Sequence, residues 1–256
     1  MAVVDTKELK VKVQEIYRLV AEQPNGTYHF EMGRPLAERL GYPANMLDRL
    51  PVEAIESFAG VGYFFDLAGL VEGERVIDLG SGSGMDAFAA ARLVGRSGQV
   101  LGVDFTVEQL HKARRLAAAA GLGQVHFREA RIERLPANDG SFDCVISNGA
   151  INLSPNKDHV FAEAARVLRP GGRLAIADIV TERQLTEAIV CDADLWASCI
   201  GGAAQQDAYR HAIQGAGLHI ELTRRNPYEF ISRQARDAST QYGVTSISVL
   251  AVKAGA

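Results

Sequence analysis

The chain has 256 residues, of which 47% are hydrophobic, and it carries a formal net charge of −4. This length and composition predict one large folded domain with a full core and exclude a disordered chain. The basic residues are scattered and no apolar run reaches the length of a membrane span, so neither nucleic-acid binding nor membrane insertion is expected. Three loosely spaced cysteines and a start unlike a signal peptide favour a reducing cytoplasm rather than a disulfide-linked or zinc-binding protein.

The first 70 residues predict a helical cap. Residues 6–22 have apolar side chains at helical spacing. Prolines and glycines divide the rest of this region into short helical pieces that are rich in aromatic residues. The aromatic segment of this region, residues 58–65, has two interpretations. It is either a lid over a binding site, in which Phe58 contacts the substrate, or an exposed surface through which a homodimer forms.

From residue 74 onward, apolar strand candidates alternate with helical stretches. The strand candidates are residues 75–79, 99–103, 125–129, 142–147 and 173–179, and the helical stretches are residues 84–94, 106–120 and 157–168. This alternation predicts a parallel sheet with helices on both faces. Two further strands, residues 219–222 and 245–254, are separated only by an expected loop, which predicts an antiparallel pair.

The predicted fold class is therefore α/β. We expect a seven-stranded, Rossmann-like, doubly wound sheet in residues 71–256 that is mostly parallel, with an antiparallel last strand. Residues 1–70 form the N-terminal helical cap or lid in this interpretation. Residues 181–215 are expected to be a mostly helical segment that covers the substrate.

The stretch VIDLGSGSGMDAF, residues 76–88, follows the first strand with glycines at alternate positions. A dinucleotide-binding loop would read G-x-G-x-x-G, but counting from Gly80 puts Met85 at the last glycine, and counting from Gly82 puts Ala87 there. The loop thus lacks a pyrophosphate cradle. Because glycines leave the backbone uncovered, the loop suits a ligand that lies over it with an amino-acid group, or with an uncharged linking group where a dinucleotide has its pyrophosphate.

Asp104 ends the second strand candidate, in VLGVDFT. A carboxylate at this position can accept hydrogen bonds from both ribose hydroxyl groups of a nucleoside. The alternative is that Asp104 only caps the following helix, near Thr106. An acid paired with a bare glycine loop that lacks a pyrophosphate cradle indicates S-adenosylmethionine as the cofactor.

These segments, together with SFDCVISNGAINLSPNK and EAARVLRPGGRLAIADIV, resemble class I methyltransferases across about residues 70–180. INLSP-x-K, LWASCIGGA at residues 195–203, and TSISVLAVK resemble the arsenite methyltransferases more closely, over most of residues 56–253. The resemblance implies a methyltransferase that uses S-adenosyl-L-methionine and acts on a small molecule.

The chain departs from this resemblance at the cysteines. The family has three cysteine thiolates that hold trivalent arsenic, but Val61 and Gly149 occupy two of those positions and only Cys199 keeps the third. Cys191, expected in a helical stretch on a face similar to that of Cys199, is a substitute ligand to consider. Cys144 lies in a strand candidate and is expected in the core.

A second departure concerns the nucleobase. The resemblance implies an aspartate that accepts a hydrogen bond from the adenine amino group, but Arg131 occupies its position and cannot accept one. The backbone of Ile132 and Glu133 could read the base instead, or the base could stack against the guanidinium group. We expect cofactor binding to be retained.

The candidate site residues fall into two groups. The residues predicted to bind the cofactor are Asp78, Gly80, Ser81, Gly82, Gly84, Met85, Asp104, Phe105, Gln109, Arg131, Ile132, Glu133 and Asn148. The candidates for substrate contact are Phe58, Asn152, Trp196 and Cys199. No catalytic acid or base and no metal ligand is predicted. Asn148 could instead form only a turn, and Trp196 could belong to the core.

The leading hypothesis is in-line methyl transfer to a small organic molecule, with alignment and desolvation as the main catalytic effects. The first alternative is methylation of arsenite or methylarsenite using Cys199. The second is a non-catalytic regulatory or scaffold protein that binds the cofactor.

Overall fold

A computed structural model describes residues 5–192, 195–196, 200–231 and 233–255. The N-terminal part is helical: α1 (Thr6–Glu22), α2 (Gly33–Leu40), α3 (Ala44–Leu47), α4 (Val52–Glu56) and α5 (Phe65–Ala68). Helix α1 begins where the carboxylate of Asp5 accepts hydrogen bonds from the N–H groups of Lys7 and Glu8. The predicted helix over residues 6–22 is confirmed.

Strands and helices then alternate. The first set is β1 (Arg75–Leu79), α6 (Met85–Val94), β2 (Gln99–Asp104), α7 (Val107–Ala119), β3 (Val125–Glu129), β4 (Phe142–Asn148), a 3₁₀ turn (Ile151–Leu153), α8 (Lys157–Val167) and β5 (Leu168–Thr181). The second set is α9 (Glu187–Val190), β6 (Ala204–Gln205), α10 (Gln206–Gly215), β7 (Leu218–Arg225), α11 (Arg233–Tyr242) and β8 (Thr245–Lys253).

The strands form one sheet in the order β3-β2-β1-β4-β5-β8-β7, with the short β6 beside β5. Strands β1 to β6 pair in parallel, and β8 lies antiparallel between β5 and β7. The predicted fold class is confirmed. Because β2 lies on one side of β1 and β4 on the other, the strand order reverses at β1, and ligands of such sheets bind at the C-terminal ends of these strands.

The two faces of the sheet pack against different helices. Side chains alternate along each strand, so Val76 and Cys144 lie in the core cluster with α6 and α7. Ile77 and Val145 lie in the cluster on the other face, with α8 and α10. Cys144 is fully buried, as expected for a core cysteine. Among the described helices, none combines the length and apolar character needed to cross a membrane.

Three expectations are wrong in detail. Helix α11 occupies part of the expected loop between β7 and β8; its sequence RQARDASTQY has only two alanines and one tyrosine as apolar residues. Cys191 caps the end of α9 instead of lying within a longer helix. The aromatic segment is not an exposed surface, since Phe58, Phe64 and Phe65 are buried in the same chain.

Candidate functional site

A cavity lies at the C-terminal ends of β1, β2 and β4, where the strand order reverses. Asp78, Asp104 and Asn148 line it from the ends of these strands, one from each. Leu9 and Val13 of α1 line it from the opposite side, so the first helix covers the edge of the sheet. The cavity is thus enclosed between the sheet and the N-terminal helices.

The glycine loop forms one wall of the cavity. Gly80, Ser81, Gly82 and Met85 all line it. Gly80 and Gly82 have φ angles of 74° and 51°, which side chains other than glycine rarely adopt. The N–H group of Gly82 donates a 2.9 Å hydrogen bond to Asp104, so the loop is fixed to the end of β2.

Gly84 does not line the cavity, and its contact with the cofactor stays a prediction. It precedes α6 with a φ angle of 94°. A β-carbon here would lie 2.8 Å from the ring of Phe127 and 2.9 Å from the ring of Phe88. The glycine is needed because the start of the helix packs closely against these two rings.

Three buried carboxylates face the cavity: Asp78, Asp86 and Asp104 are 2%, 6% and 8% exposed. Burial raises the pKa of each of them, that of Asp86 to about 6. The negative charges of Asp86 and Asp104 raise the pKa of Asp78 further. One carboxylate oxygen of Asp78, Oδ2, is buried and has no hydrogen-bond partner in the described part of the chain.

Asn148 connects the sheet to the N-terminal cap. Its Oδ1 accepts hydrogen bonds from the N–H groups of Val61, at 2.7 Å, and Gly62, at 3.3 Å. Its Nδ2 lies 2.9 Å from the carbonyl oxygen of Gly62 and 3.0 Å from Oδ2 of Asp86. The hydroxyl group of Tyr42 donates a 2.6 Å hydrogen bond to Oδ1 of Asp86. The side-chain amide of Asn148 is therefore engaged within the protein.

The other end of the cavity follows β3. Arg131, Ile132 and Glu133 line it, with Ser154 from the turn after β4. The carboxylate of Glu133 accepts a 2.7 Å hydrogen bond from Ser154 and a 3.3 Å hydrogen bond from Nε of Arg131. These hydrogen bonds help to hold the pKa of Glu133 below its usual value despite partial burial.

Phe105 and Gln109 also line the cavity and attach α1 to the sheet edge. Nε2 of Gln109 donates a 2.8 Å hydrogen bond to the carbonyl oxygen of Tyr17, and its Oε1 accepts one from Ser83. Gln14 donates a 3.1 Å hydrogen bond to the carbonyl oxygen of Phe105. These bonds fix the helix over the cavity.

The family model described as a methyltransferase domain matches residues 70–217, more than half of the chain. The chain belongs to the methyltransferase-domain family. The matched region contains β1 to β5 and therefore the glycine loop, Asp104 and Asn148.

Relatives of this methyltransferase include two arsenite methyltransferases. That of Halobacterium salinarum is 37% identical over 206 residues, covering 80% of this chain and 50% of its own length. That of Aquipseudomonas alcaligenes is 44% identical over 156 residues, covering 58% of this chain and 45% of its own. The chain spans about half the length of these curated relatives.

A solved structure is also similar. The arsenic(III) S-adenosylmethionine methyltransferase of Chlamydomonas reinhardtii matches with a TM-score of 0.65 and 31% identity. The match covers 88% of this chain and 74% of that one. These comparisons confirm the predicted resemblance to class I methyltransferases close to the arsenite methyltransferases.

S-adenosylmethionine is the methyl donor of this methyltransferase family. The residues of the cavity fit it. A β-carbon on Gly80 would collide with Ala150, so the loop has no room for a side chain and its bare backbone is open to a ligand. The unpaired Oδ2 of Asp78 suits the ammonium group of an amino acid, and Asp104 retains lone pairs for hydroxyl groups.

Of the four substrate candidates the structure describes three, and it does not bring these three together at the cavity. Phe58 lines the cavity. Asn152 and Trp196 do not line it, and their contact with the substrate stays a prediction. Asn152 is fully buried, and Trp196 packs with Leu9 and Val13 beneath α1. Cys199 lies outside the described residues.

The INLSPNK segment has a structural role. Nζ of Lys157 donates hydrogen bonds to the carbonyl oxygens of Asn152, at 3.1 Å, and Ser154, at 2.9 Å. The same atom lies 5.1 Å from the ring centre of Trp196. Burial lowers the pKa of Lys157 to about 8. Lys157 thus fixes the turn that presents Ser154 to the cavity.

Sequence reasoning missed two parts of the site. The pairing of Tyr42 with Asp86 joins residues 44 positions apart, and no sequence pattern linked them. Residues 1–70 were expected to form a cap or lid, but the contact of Leu9 and Val13 of α1 with the cavity was not singled out. Asp86 could have been predicted as a site residue from the sequence, because it is a second acidic residue that directly follows the glycine loop.

Proposed function

We propose that this methyltransferase transfers a methyl group from S-adenosylmethionine to a small organic acceptor. The observation that carries the proposal is the wall of the cavity, which has no cysteine among its described residues. Cys144 is buried in the core and Cys191 is exposed. A site for trivalent arsenic needs several soft thiolates, whereas Gly149 on this wall and Val61 beside it occupy two of the positions that the resemblance assigns to cysteine.

The order of the strands suggests how the cofactor lies. Residues 131–133 follow β3, Asp104 ends β2, and Asp78 lies near the end of β1. We assign the nucleobase to residues 131–133, the ribose hydroxyl groups to Asp104 and the ammonium group to Asp78. The reacting end then lies toward β4, beside Gly149.

The protein contributes alignment and exclusion of water. S-adenosylmethionine supplies a methyl group that the positive charge of its sulfonium already activates. Helix α1 and Phe58 shield the cavity from solvent, and the glycine loop and the acids hold the donor in one orientation. Holding two reactants in line can supply up to roughly 7–11 kcal/mol of the barrier. Asn148 positions the backbone of residues 61–62 that borders the acceptor end.

Arsenite or methylarsenite is the second candidate substrate, because the similar relatives are arsenite methyltransferases. Cys199 would then hold the metalloid, either together with Cys191 or with a substrate delivered as a thiol conjugate. This alternative needs a thiol from outside the described cavity wall.

The test is a methylation assay with labelled S-adenosylmethionine, arsenite and glutathione, compared between wild type and Cys199→Ser. We expect no methylated arsenic from wild type and incorporation of label into at least one member of a panel of thiols, amines, phenols and activated carbon acids. Calorimetric binding of S-adenosylhomocysteine is the control for a competent cofactor site.

Methylated arsenic that disappears in Cys199→Ser would establish the metalloid function and contradict the organic acceptor. Tight binding of S-adenosylhomocysteine without turnover of any acceptor would favour a cofactor-binding regulatory or scaffold protein. Absence of S-adenosylhomocysteine binding would contradict the whole proposal.

A further inference from the structure

We propose that the cavity takes up the ammonium group of its ligand in exchange for one proton, which Asp78 and Asp86 share in the ligand-free protein. The inference rests on the proposed function, because it describes how charge is balanced when the cofactor binds at this site. It assigns to Asp86 a role that the sequence did not predict.

The two carboxylates differ in their hydrogen bonds. Asp78 accepts a hydrogen bond from the N–H group of Ala87, while its Oδ2 is buried without a partner in the described residues. Asp86 accepts hydrogen bonds from Tyr42 at 2.6 Å and from Asn148 at 3.0 Å. Donors stabilise the charged form of a carboxylate, so Asp86 is better able to hold the negative charge and Asp78 to hold the proton.

The shifts in pKa agree with this geometry. Burial, followed by the charges of Asp86 and Asp104, raises the pKa of Asp78 well above its ordinary value. Burial raises the pKa of Asp86 to about 6 although Tyr42 and Asn148 lower it. Two buried carboxylates that interact in this way cannot both ionise easily, and the pair retains a proton near neutral pH.

The other charged groups of the cavity do not neutralise this pair. Tyr42 faces Asp86 and stays protonated, because burial raises its pKa well above the usual value. Asp104 adds a further negative charge. Lys10 on α1 is exposed, and the side chain of Arg131 is 57% exposed and paired with Glu133. The described residues also form no cluster suited to a metal ion.

The positive charge that would balance Asp78 and Asp86 is therefore expected to come from the ligand. An α-amino-acid ammonium group placed at Oδ2 of Asp78 would favour the ionised form and expel the shared proton to solvent. S-adenosylhomocysteine and S-adenosylmethionine both carry this ammonium group. 5′-Methylthioadenosine keeps the nucleoside and the thioether but lacks the amino acid, so it is the matched ligand control.

The test is isothermal titration calorimetry of the full chain with S-adenosylhomocysteine, in buffers of different ionisation enthalpy, at several pH values between 6 and 8. We expect release of about one proton per ligand at pH 6.5, and a Kd that rises roughly tenfold for each unit by which the pH falls within this range. 5′-Methylthioadenosine should bind with no proton release and with a Kd that does not depend on pH.

Two variants test whether the released proton comes from Asp78. Asp78→Asn should bind S-adenosylhomocysteine more weakly and without proton release. Asp178→Asn is the matched control, because burial also raises the pKa of Asp178 to about 6, but this residue bonds to Tyr209 and does not line the cavity. It should leave the proton release unchanged.

Binding of S-adenosylhomocysteine with no proton release and a constant Kd from pH 6 to 8 would overturn the inference while leaving the proposed function standing. Undiminished proton release in Asp78→Asn, or equal release with 5′-methylthioadenosine, would also overturn it. If Asp78→Asn does not fold, the wild-type pH series decides. Failure of wild type to bind S-adenosylhomocysteine would instead contradict the proposed function.

Discussion

Val61 packs against Gly149 at the edge of the cavity: its Cγ1 atom lies 3.3 Å from the point where a β-carbon on Gly149 would stand. These are two of the three positions at which the resemblance to arsenite methyltransferases implies cysteine. Their proximity means that two thiolates placed there would face one another.

We therefore predict that the double variant Val61→Cys, Gly149→Cys gains a site for trivalent arsenic. Two thiols that bind one arsenic atom act with a high effective concentration, so affinity for phenylarsine oxide should rise roughly 100-fold or more over wild type. Calorimetric titration under reducing conditions measures it. Each single variant is the control, and Gly149→Cys should cost about 1–2 kcal/mol of stability because its φ angle is 69°.

If the double variant binds phenylarsine oxide no more tightly than either single variant, residues 61 and 149 do not form a thiolate pair. In that case the absence of cysteine at residues 61 and 149 would not account for the loss of a metalloid site.

The second prediction concerns Asp104, whose carboxylate already accepts hydrogen bonds from Gly82 and Thr106. Asp104→Asn removes the charge and one acceptor oxygen, so affinity for S-adenosylhomocysteine should fall roughly 10- to 100-fold, equivalent to about 1.5–3 kcal/mol. Calorimetry measures the change. Asp158→Asn, in an exposed acid of the first turn of α8, should bind as wild type does. Equal binding by both variants would exclude Asp104 as a ribose contact.

Much of the sheet and part of the site were predictable from the sequence, because both depend on local patterns. The buried parallel strands appear as apolar runs, and Gly80, Gly82 and Asp104 follow two of them directly. Helix α11 was missed because its sequence has few apolar residues; among its described side chains, that of Ala238 is buried. The Tyr42–Asp86–Asn148 network was missed because it joins three distant segments. The domain boundary near residue 70 and a homodimer stay predictions.

The third prediction compares two tyrosines that each bond to a buried aspartate. Tyr42→Phe removes the donor to Asp86, and Tyr209→Phe removes the donor to Asp178. Each change should reduce the free energy of unfolding by about 1–3 kcal/mol, as measured in urea, because a buried carboxylate loses a partner. Only Tyr42→Phe should also weaken binding of S-adenosylhomocysteine at pH 7, since Asp86 then holds a proton more tightly. Weakened binding in Tyr209→Phe as well would point to a general structural effect.

The fourth prediction concerns stability and pH. A carboxyl whose pKa is raised by folding stabilises the protein below its unfolded pKa, and this contribution disappears as the pH rises through the folded value. Asp78→Asn removes the ionising group. We expect the ligand-free variant to be more stable than wild type at pH 8, on the order of 1–3 kcal/mol, while it binds S-adenosylhomocysteine more weakly.

Urea denaturation at pH 8 and pH 5 measures this difference, which should shrink at the lower pH because wild-type Asp78 is then protonated. If the variant is less stable than wild type at pH 8, the prediction is wrong: Asp78 then stabilises the ligand-free protein. It would not be a residue that favours ligand binding while lowering stability.

Helix α1 both lines the cavity and is held by hydrogen bonds from Gln14 and Gln109. If a ligand bound beneath Leu9 and Val13 leaves on the side of α1, these contacts have to break first. The residence time of the spent cofactor would then depend on how often the helix detaches, and product release could limit turnover even when the chemical step is fast. The same first helix that shields the reaction from water would thus set the pace of the catalytic cycle.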